Sequence, residues 1–123
     1  SNGLSDPDEP TLAVRDLTGA IQAWIEIGAP DAARVHKAGK SAARVAVYTH
    51  RNTDQLLRQW AGERIHRVDQ LELYCVDRTL VTGFAAALAR RMSLALSRTD
   101  GHLYVTIGDT VIEGDVERVR VAA

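Results

Sequence analysis

Acidic side chains near the start of the chain have the types and positions expected of a metal site. Asp6, Asp8 and Glu9 lie in a proline-flanked segment, and Glu26 lies near the end of a strand-like run over residues 20–28. Two carboxylates that share a site bind a hard cation such as Mg²⁺ through their oxygens, and the bound metal activates water and neutralises charge on a phosphate. The pattern therefore predicts a divalent cation and a phosphate group near Glu26.

A basic helix is predicted a few residues after this strand. Pro30 suits the first position of a helix and Asp31 suits its positive end, and the helix is expected to end near Gly39-Lys40. Its cationic side chains are Arg34, Lys37 and Lys40. A lysine near the carboxylates would stabilise negative charge that develops on a phosphate. The alternative is that these cations form the solvated face of an amphipathic helix, and that Glu26 pairs with a neighbouring arginine.

The two strand-like runs at the start, residues 11–17 and 20–28, predict a hairpin that turns at Thr18-Gly19. Apolar residues occupy even positions in the first run and odd positions in the second. Residues directly opposite each other share a face, so the numbers of paired residues should sum to an odd value near 37. This register places Glu9, rather than Asp8, on the same face as Glu26, whereas a bend at a flanking proline would bring Asp8 there instead.

The remaining pattern predicts strands that alternate with helices and then a terminal hairpin. Strands are expected over residues 43–50 and 71–76, helices over 53–66 and 78–90, a hairpin over 92–98 and 102–107 that turns at Asp100-Gly101, and a last short strand over 111–113. This order is typical of an α/β domain in which helices flank a mixed sheet.

Composition and charge limit the class of protein. With 123 residues, of which 46% are hydrophobic and 25% charged, the chain is expected to form one globular domain over residues 1–123. Its net charge of −1 differs from that of a general nucleic-acid binder, so any phosphate contact must come from a local patch. The single cysteine, Cys75, fits a reducing compartment, and no apolar run is long enough for a membrane helix. A cytoplasmic protein is expected.

Several segments resemble the YaeQ family. They are GLSDPDEP (residues 3–10), DLTG (16–19), WIEIGAPD (24–31), Arg34 with Lys37-Ala38, VYTH (47–50), MSL (92–94) and DGH (100–102). The resemblance implies a restriction-endonuclease-like, PD-(D/E)XK core, in which a central sheet presents an Asp, an Asp or Glu, and a Lys to a metal and a phosphodiester. It also implies about 50 further residues upstream, a hairpin strand and a first helix that this sequence lacks.

The resemblance also assigns roles to individual residues. Asp8 is similar to the first acidic position of the motif and Glu26 to the second, while the lysine position falls on Gly28. Some nuclease-like relatives carry the lysine on the following helix, where Lys37 is the candidate. The resemblance thus implies Asp8, Glu26 and Lys37 as catalytic residues. Because the hairpin register favours Glu9, the expected metal ligands are Asp8, Glu9 and Glu26.

Two functions follow as expectations. The first is a Mg²⁺-dependent phosphodiesterase or nuclease-like protein that acts on nucleic acid or another phosphodiester. The alternative is a non-catalytic interaction module that binds a protein partner, which Gly28 in the lysine position and the near-neutral charge favour. The basic helix would also permit nucleic-acid binding without cleavage, which added salt should weaken. The four histidines lack metal-ligand spacing and are expected at the surface or at strand ends.

Overall fold

A computed structural model of the chain describes residues 12–50, 52–90, 92 and 94–121. This part of the chain contains seven strands, three α-helices and one short 3₁₀ helix, Val68–Gln70. The strands are β1 (Leu12–Arg15), β2 (Ile21–Ile27), β3 (Arg44–Thr49), β4 (Glu72–Val76), β5 (Leu94–Thr99), β6 (His102–Ile107) and β7 (Thr110–Val119). The helices are α1 (Ala32–Ser41), α2 (Thr53–Trp60) and α3 (Arg78–Ala89).

The strands form one mixed sheet in the order β1-β2-β3-β4-β7-β6-β5. β2, β3 and β4 are parallel, with α1 and α2 as the two crossover helices, whereas β1, β7, β6 and β5 each run antiparallel to the strand beside them. Parallel strands require such crossovers, because a tight turn can join only antiparallel neighbours. The predicted α/β class with a mixed sheet and a late hairpin is confirmed.

The register of the first hairpin is also confirmed. Leu12 pairs with Ile25, Ala13 with Trp24 and Val14 with Ala23, so each pair of numbers sums to 37. An irregularity follows Val14, and Arg15 pairs with Ile21. The turn is held by the carboxylate of Asp16, which accepts hydrogen bonds from the backbone N–H groups of Thr18 (2.8 Å) and Ala20 (3.1 Å).

Each face of the sheet has its own core. On the first face, α1 and α2 cover the middle strands, and Trp24, Val47 and Leu73 pack with Val35 and Trp60. On the second face, α3 and the C-terminal hairpin cover Tyr48, Tyr74 and Val76; the buried partners from these elements are Leu80, Phe84, Leu103 and Val105. Alternate residues of one strand point to opposite faces, so neighbouring positions on β2 serve different cores.

Three elements differ from the sequence-based expectation. α2 ends at Trp60, because Ala61 is extended and Gly62 has a φ of +77°. α1 begins at Ala32 with Asp31 as its N-cap, so Pro30 precedes the helix instead of starting it. β7 has 10 residues where a short strand was expected. Its first half pairs with β6 and its second half with β4, so pairing on two sides extends it.

Candidate functional site

Glu26 lies on β2 and faces the core formed with α1 and α2. The residue is only 3% exposed. Its Oε1 atom accepts a hydrogen bond from Nε of Arg34 at 2.7 Å, and its Oε2 atom accepts one from Nε1 of Trp24 at 2.6 Å. Both carboxylate oxygens are therefore bound by donors, and the ion pair with Arg34 joins the strand to the helix.

Local sequence explains how this pair forms. Trp24 and Glu26 are two residues apart on a strand, which puts their side chains on the same face. Gly28 ends the strand with a φ of +113°, a conformation that favours glycine. Asp31 then caps α1 by accepting a hydrogen bond from the backbone N–H of Arg34 at 2.8 Å. This cap starts the helix at a point from which the Arg34 side chain reaches back to Glu26.

The other predicted site residues divide into two groups. Lys37 lies on α1, three residues after Arg34, and its side chain is exposed. Asp6, Asp8 and Glu9 lie outside the described residues. The structure thus brings Glu26 together with Arg34, and Gly28, which has no side chain, follows directly after β2.

Metal-ligating residues are dispersed in the part of the chain that the structure describes, where no group of three or more His, Cys, Asp or Glu side chains is arranged to hold a metal ion. His36 and His66, which are far apart in sequence, do meet. Nδ1 of His36 accepts a hydrogen bond from the backbone N–H of His66 at 2.9 Å, and the two rings make an edge contact. This contact holds the segment after α2 against α1.

A second site lies on the opposite face of the sheet. It is a cleft of about 340 Å³, which we call the arginine cleft, and its lining residues are Ala23, Ile25, Arg44, Ala46, Tyr48, Leu96 and Arg98. Ala23 and Ile25 alternate with Trp24 and Glu26 along β2, so the cleft and the Glu26 pair are on different faces. The two sites are thus separated by the thickness of the sheet.

A fixed ion pair borders the arginine cleft. Arg44 contacts Glu72 through two hydrogen bonds, from Nε to Oε2 at 2.6 Å and from Nη2 to Oε1 at 2.8 Å. The Tyr74 hydroxyl donates a further hydrogen bond to Oε1 of the same carboxylate. Burial raises the pKa of Glu72, but the hydrogen bonds from Arg44 and Tyr74 outweigh it and hold that pKa below its usual value. The same hydrogen bonding raises the pKa of Arg44.

Stacked rings support the second arginine of the cleft. The guanidinium carbon of Arg98 lies 4.4 Å from the centre of the Tyr74 ring, which is a cation–π contact. Tyr74 in turn stacks on Tyr48, with ring centres 4.9 Å apart. Burial raises the pKa of Tyr48. Arg118 on β7 pairs opposite Tyr74 and adds positive charge near Glu72.

The arginine cleft was absent from the sequence-based prediction. Arg44 and Glu72 are 28 positions apart, and Arg98 belongs to the C-terminal hairpin. One signal could have indicated the pair: Arg44 and Glu72 are the first residues of two strands that turn out to be parallel neighbours. The first residues of neighbouring parallel strands lie at the same end of the sheet, so opposite charges at these positions come close together.

Comparison with known proteins gives the family of the chain. The family model described as "YaeQ protein" matches residues 1–116. The chain belongs to the YaeQ family. It is 29% identical over 107 residues to a protein of Escherichia coli (strain K12) that is described as an uncharacterized protein YaeQ, in a match that covers 86% of this chain. The chain spans 59% of the length of that curated relative.

Solved YaeQ structures share the fold of this chain. The YaeQ protein from Xanthomonas axonopodis pv. citri superposes with a TM-score of 0.63 and 23% identity over 99% of this chain and 70% of that structure. The YaeQ protein from Pseudomonas syringae gives a TM-score of 0.62 and 21% identity, over 97% and 66% of the two chains. In the described part of this YaeQ family chain, the helices are too short or too polar to span a membrane.

Proposed function

We propose that this chain is a non-catalytic binding module that uses the arginine cleft and does not cleave phosphodiesters. The observation that carries this proposal is the state of Glu26, which was expected to bind a metal. Its carboxylate is buried, and both of its oxygens accept hydrogen bonds from Arg34 and Trp24. Such a carboxylate serves the packing of α1 on β2.

Charge opposes Mg²⁺ binding by Glu26 in this arrangement. A guanidinium nitrogen lies 2.7 Å from Oε1, so a divalent cation at the same oxygen would be repelled by a fixed positive charge. To bind the metal, the carboxylate would have to give up its hydrogen bond from Arg34, and breaking a buried ion pair costs about 3–5 kcal/mol. Gly28, at the lysine position, offers no ammonium group for a phosphate.

The rival function is Mg²⁺-dependent phosphodiester hydrolysis, and one observation favours it. Arg34 contacts Glu26, and Lys37 follows on the next turn of α1, so two cations accompany this carboxylate. In a catalytic arrangement, Asp8 or Glu9 would share a metal with Glu26, and Lys37 would face the phosphate. A metal held by these carboxylates would supply activated water for hydrolysis, in which one phosphorus–oxygen ester bond breaks and the leaving oxygen takes a proton.

Metal and cleavage assays separate the two functions. Mg²⁺ and Mn²⁺ are titrated into the 123-residue chain by calorimetry, and fluorogenic DNA and RNA substrates are incubated with each metal. The variants are Glu26→Gln and Lys37→Ala, and the matched control is Glu63→Gln, which changes an exposed glutamate in the loop after α2. We expect no metal-dependent cleavage and no binding heat that depends on Glu26.

Cleavage that requires Mg²⁺ or Mn²⁺, persists in Glu63→Gln and disappears in Lys37→Ala would overturn the proposal. Lys37 is exposed, so this variant tests the chemistry even where Glu26→Gln fails to fold. A saturable metal-binding heat that Glu26→Gln removes from a folded protein would overturn it as well.

A further inference from the structure

We infer that the arginine cleft binds a small organic anion, a phosphate monoester or a carboxylate that carries a flat apolar group. This inference rests on the proposed binding function and names its ligand. The cleft volume of about 340 Å³ lies within the range of about 300–1,000 Å³ that is usual for small-molecule sites. A single anionic group with a ring attached is of the right scale.

Electrostatics gives the sign of the ligand's charge. Arg44 and Arg98 line the cleft, and the charged groups that act on the buried Tyr48 beside them are these two arginines and Glu72. Arg118 adds a further cation on the side of Glu72. Among the side chains that the structure describes here, three arginines face one glutamate, and this balance favours an anion over a cation or a neutral molecule.

The cationic groups are already held in place. Arg44 is fixed by its two hydrogen bonds to Glu72, which also accepts a hydrogen bond from Tyr74. Arg98 lies over the Tyr74 ring. A ligand that meets side chains already ordered by packing loses less free energy to their immobilisation. Nε and Nη2 of Arg44 already donate to Glu72, so the planar guanidinium of Arg98 is the group that would match the two oxygens of a carboxylate or phosphate.

Part of the cleft lining is apolar, and we call this part, formed by Ile25, Ala46 and Leu96, the apolar floor. Ile25, Ala46 and Leu96 lie beside the Tyr48 ring, and none of them offers a polar side-chain atom. Burial of a ring or a short aliphatic chain against them is favourable in proportion to the area removed from water. Inorganic phosphate would use the arginines alone and should bind more weakly than a phosphate ester.

The test measures binding of phenyl phosphate to the 123-residue chain by NMR titration. Benzoate tests the carboxylate source of the anion, inorganic phosphate tests the apolar floor, and benzyl alcohol tests the need for charge. The main variant is Arg98→Gln, which alters an exposed side chain and leaves the Arg44–Glu72 pair in place. The control is Arg58→Gln, which removes the same charge from an exposed position on α2, the helix that packs on the other face.

We expect saturable binding of phenyl phosphate or benzoate, with shifts at Ala23, Ala46 and Leu96. Arg98→Gln should weaken this binding about tenfold, the usual effect of a lost charge-assisted hydrogen bond, whereas Arg58→Gln should leave it within about twofold. A second variant, Ala23→Leu, fills the cleft without changing charge and should also weaken binding. Both variants are first shown to be folded by thermal unfolding.

Three results would overturn the inference: equal affinity for benzyl alcohol and phenyl phosphate, unchanged affinity in Arg98→Gln, or no saturation by either anion in the millimolar range. None of these would restore catalysis, so the ligand can be wrong while the non-catalytic function stands. Metal-dependent cleavage, by contrast, would overturn the proposed function and leave anion binding in the cleft to be judged by the titration.

Discussion

Arg34, in the first turn of α1, contacts Glu26 on β2 with an Nε–Oε1 distance of 2.7 Å. Their side chains are 16% and 4% exposed, so the pair is largely withdrawn from water. An ion pair on the surface contributes little to stability, because solvent screens both charges. A buried ion pair, such as this one, is costly to break. The contact therefore stabilises the packing of the first crossover helix against the sheet.

Replacement of Glu26 by alanine should lower the free energy of unfolding by about 3 kcal/mol, because the buried ion pair between Glu26 and Arg34 would be lost. Glu26→Gln should lower it by about 2 kcal/mol, since one amide oxygen cannot replace two carboxylate oxygens as acceptor for Arg34 and Trp24. Urea unfolding measures both changes. In the exposed control Glu63→Ala, the change should stay within about 0.5 kcal/mol. Equal losses in Glu26→Ala and Glu63→Ala would contradict a structural role for the pair.

Glu72 should make stability depend on pH in the acidic range. Its pKa in the folded protein is below the ordinary glutamate value of 4.5. Its contribution is therefore complete above that value and is lost as the pH falls through the folded pKa. Glu72→Gln should cost about 1 kcal/mol at pH 7, a modest amount because the Arg44 side chain is half exposed.

This difference between wild type and Glu72→Gln should shrink as the pH falls toward 2, because a protonated glutamate resembles a glutamine. Urea unfolding at a series of pH values provides the measurement, and Glu63→Gln corrects for other carboxylates. A difference that is constant from pH 7 to pH 2 would show that Glu72 acts through packing alone.

Gly39 should not tolerate alanine, although alanine favours helices. A Cβ atom at this position of α1 would lie 2.7 Å from the backbone oxygen of His66. Backbone cannot move aside as a flexible side chain can, so Gly39→Ala should cost about 1–3 kcal/mol despite a helix-propensity gain of about 1 kcal/mol. Gly83→Ala in α3 is the matched comparison, because its new Cβ would meet the terminal methyl of Ile112. Thermal unfolding should rank Gly39→Ala as the less stable of the two.

His36 should titrate below its ordinary range. Burial is the largest cause of its lowered pKa, and the charges of Lys40, Arg64 and His66 add to it. Its Nδ1 atom must be unprotonated to accept the hydrogen bond from the His66 backbone N–H. The pKa is depressed, so this contact is fully present above about pH 6.5 and is lost as the pH falls through the folded value.

An NMR titration tests the link between His36 and His66. The amide proton of His66 should shift with the same midpoint as the His36 ring, and that midpoint should lie below about 6.5. His36→Asn should abolish the coupled shift. Independent midpoints for the ring and the amide would argue against the hydrogen bond.

Local patterns were sufficient for the order of elements and for the register of the first hairpin. Alternation of apolar residues has a period of two, and the turn at Thr18-Gly19 limits the possible pairings, so the sum of 37 could be calculated from sequence. The length of β7 could not be calculated in this way, because its first half pairs with β6 and its second half pairs with β4, which lies far away along the chain. When the length of a strand is set by pairing with distant strands, the residues of the strand itself indicate that length only weakly.

The amino-acid sequence by itself determined the α/β class, the family and the candidate role of Glu26, because periodicity and motif spacing are properties of neighbouring residues. The tertiary structure decided how Glu26 is used, since only folding brings Arg34 and Trp24 to its two oxygens. The tertiary structure also decided which residues come together to form the arginine cleft. Arg44, Glu72 and Arg98 come from three strands, and hydrogen bonds and ring stacking hold them together only after the sheet has formed.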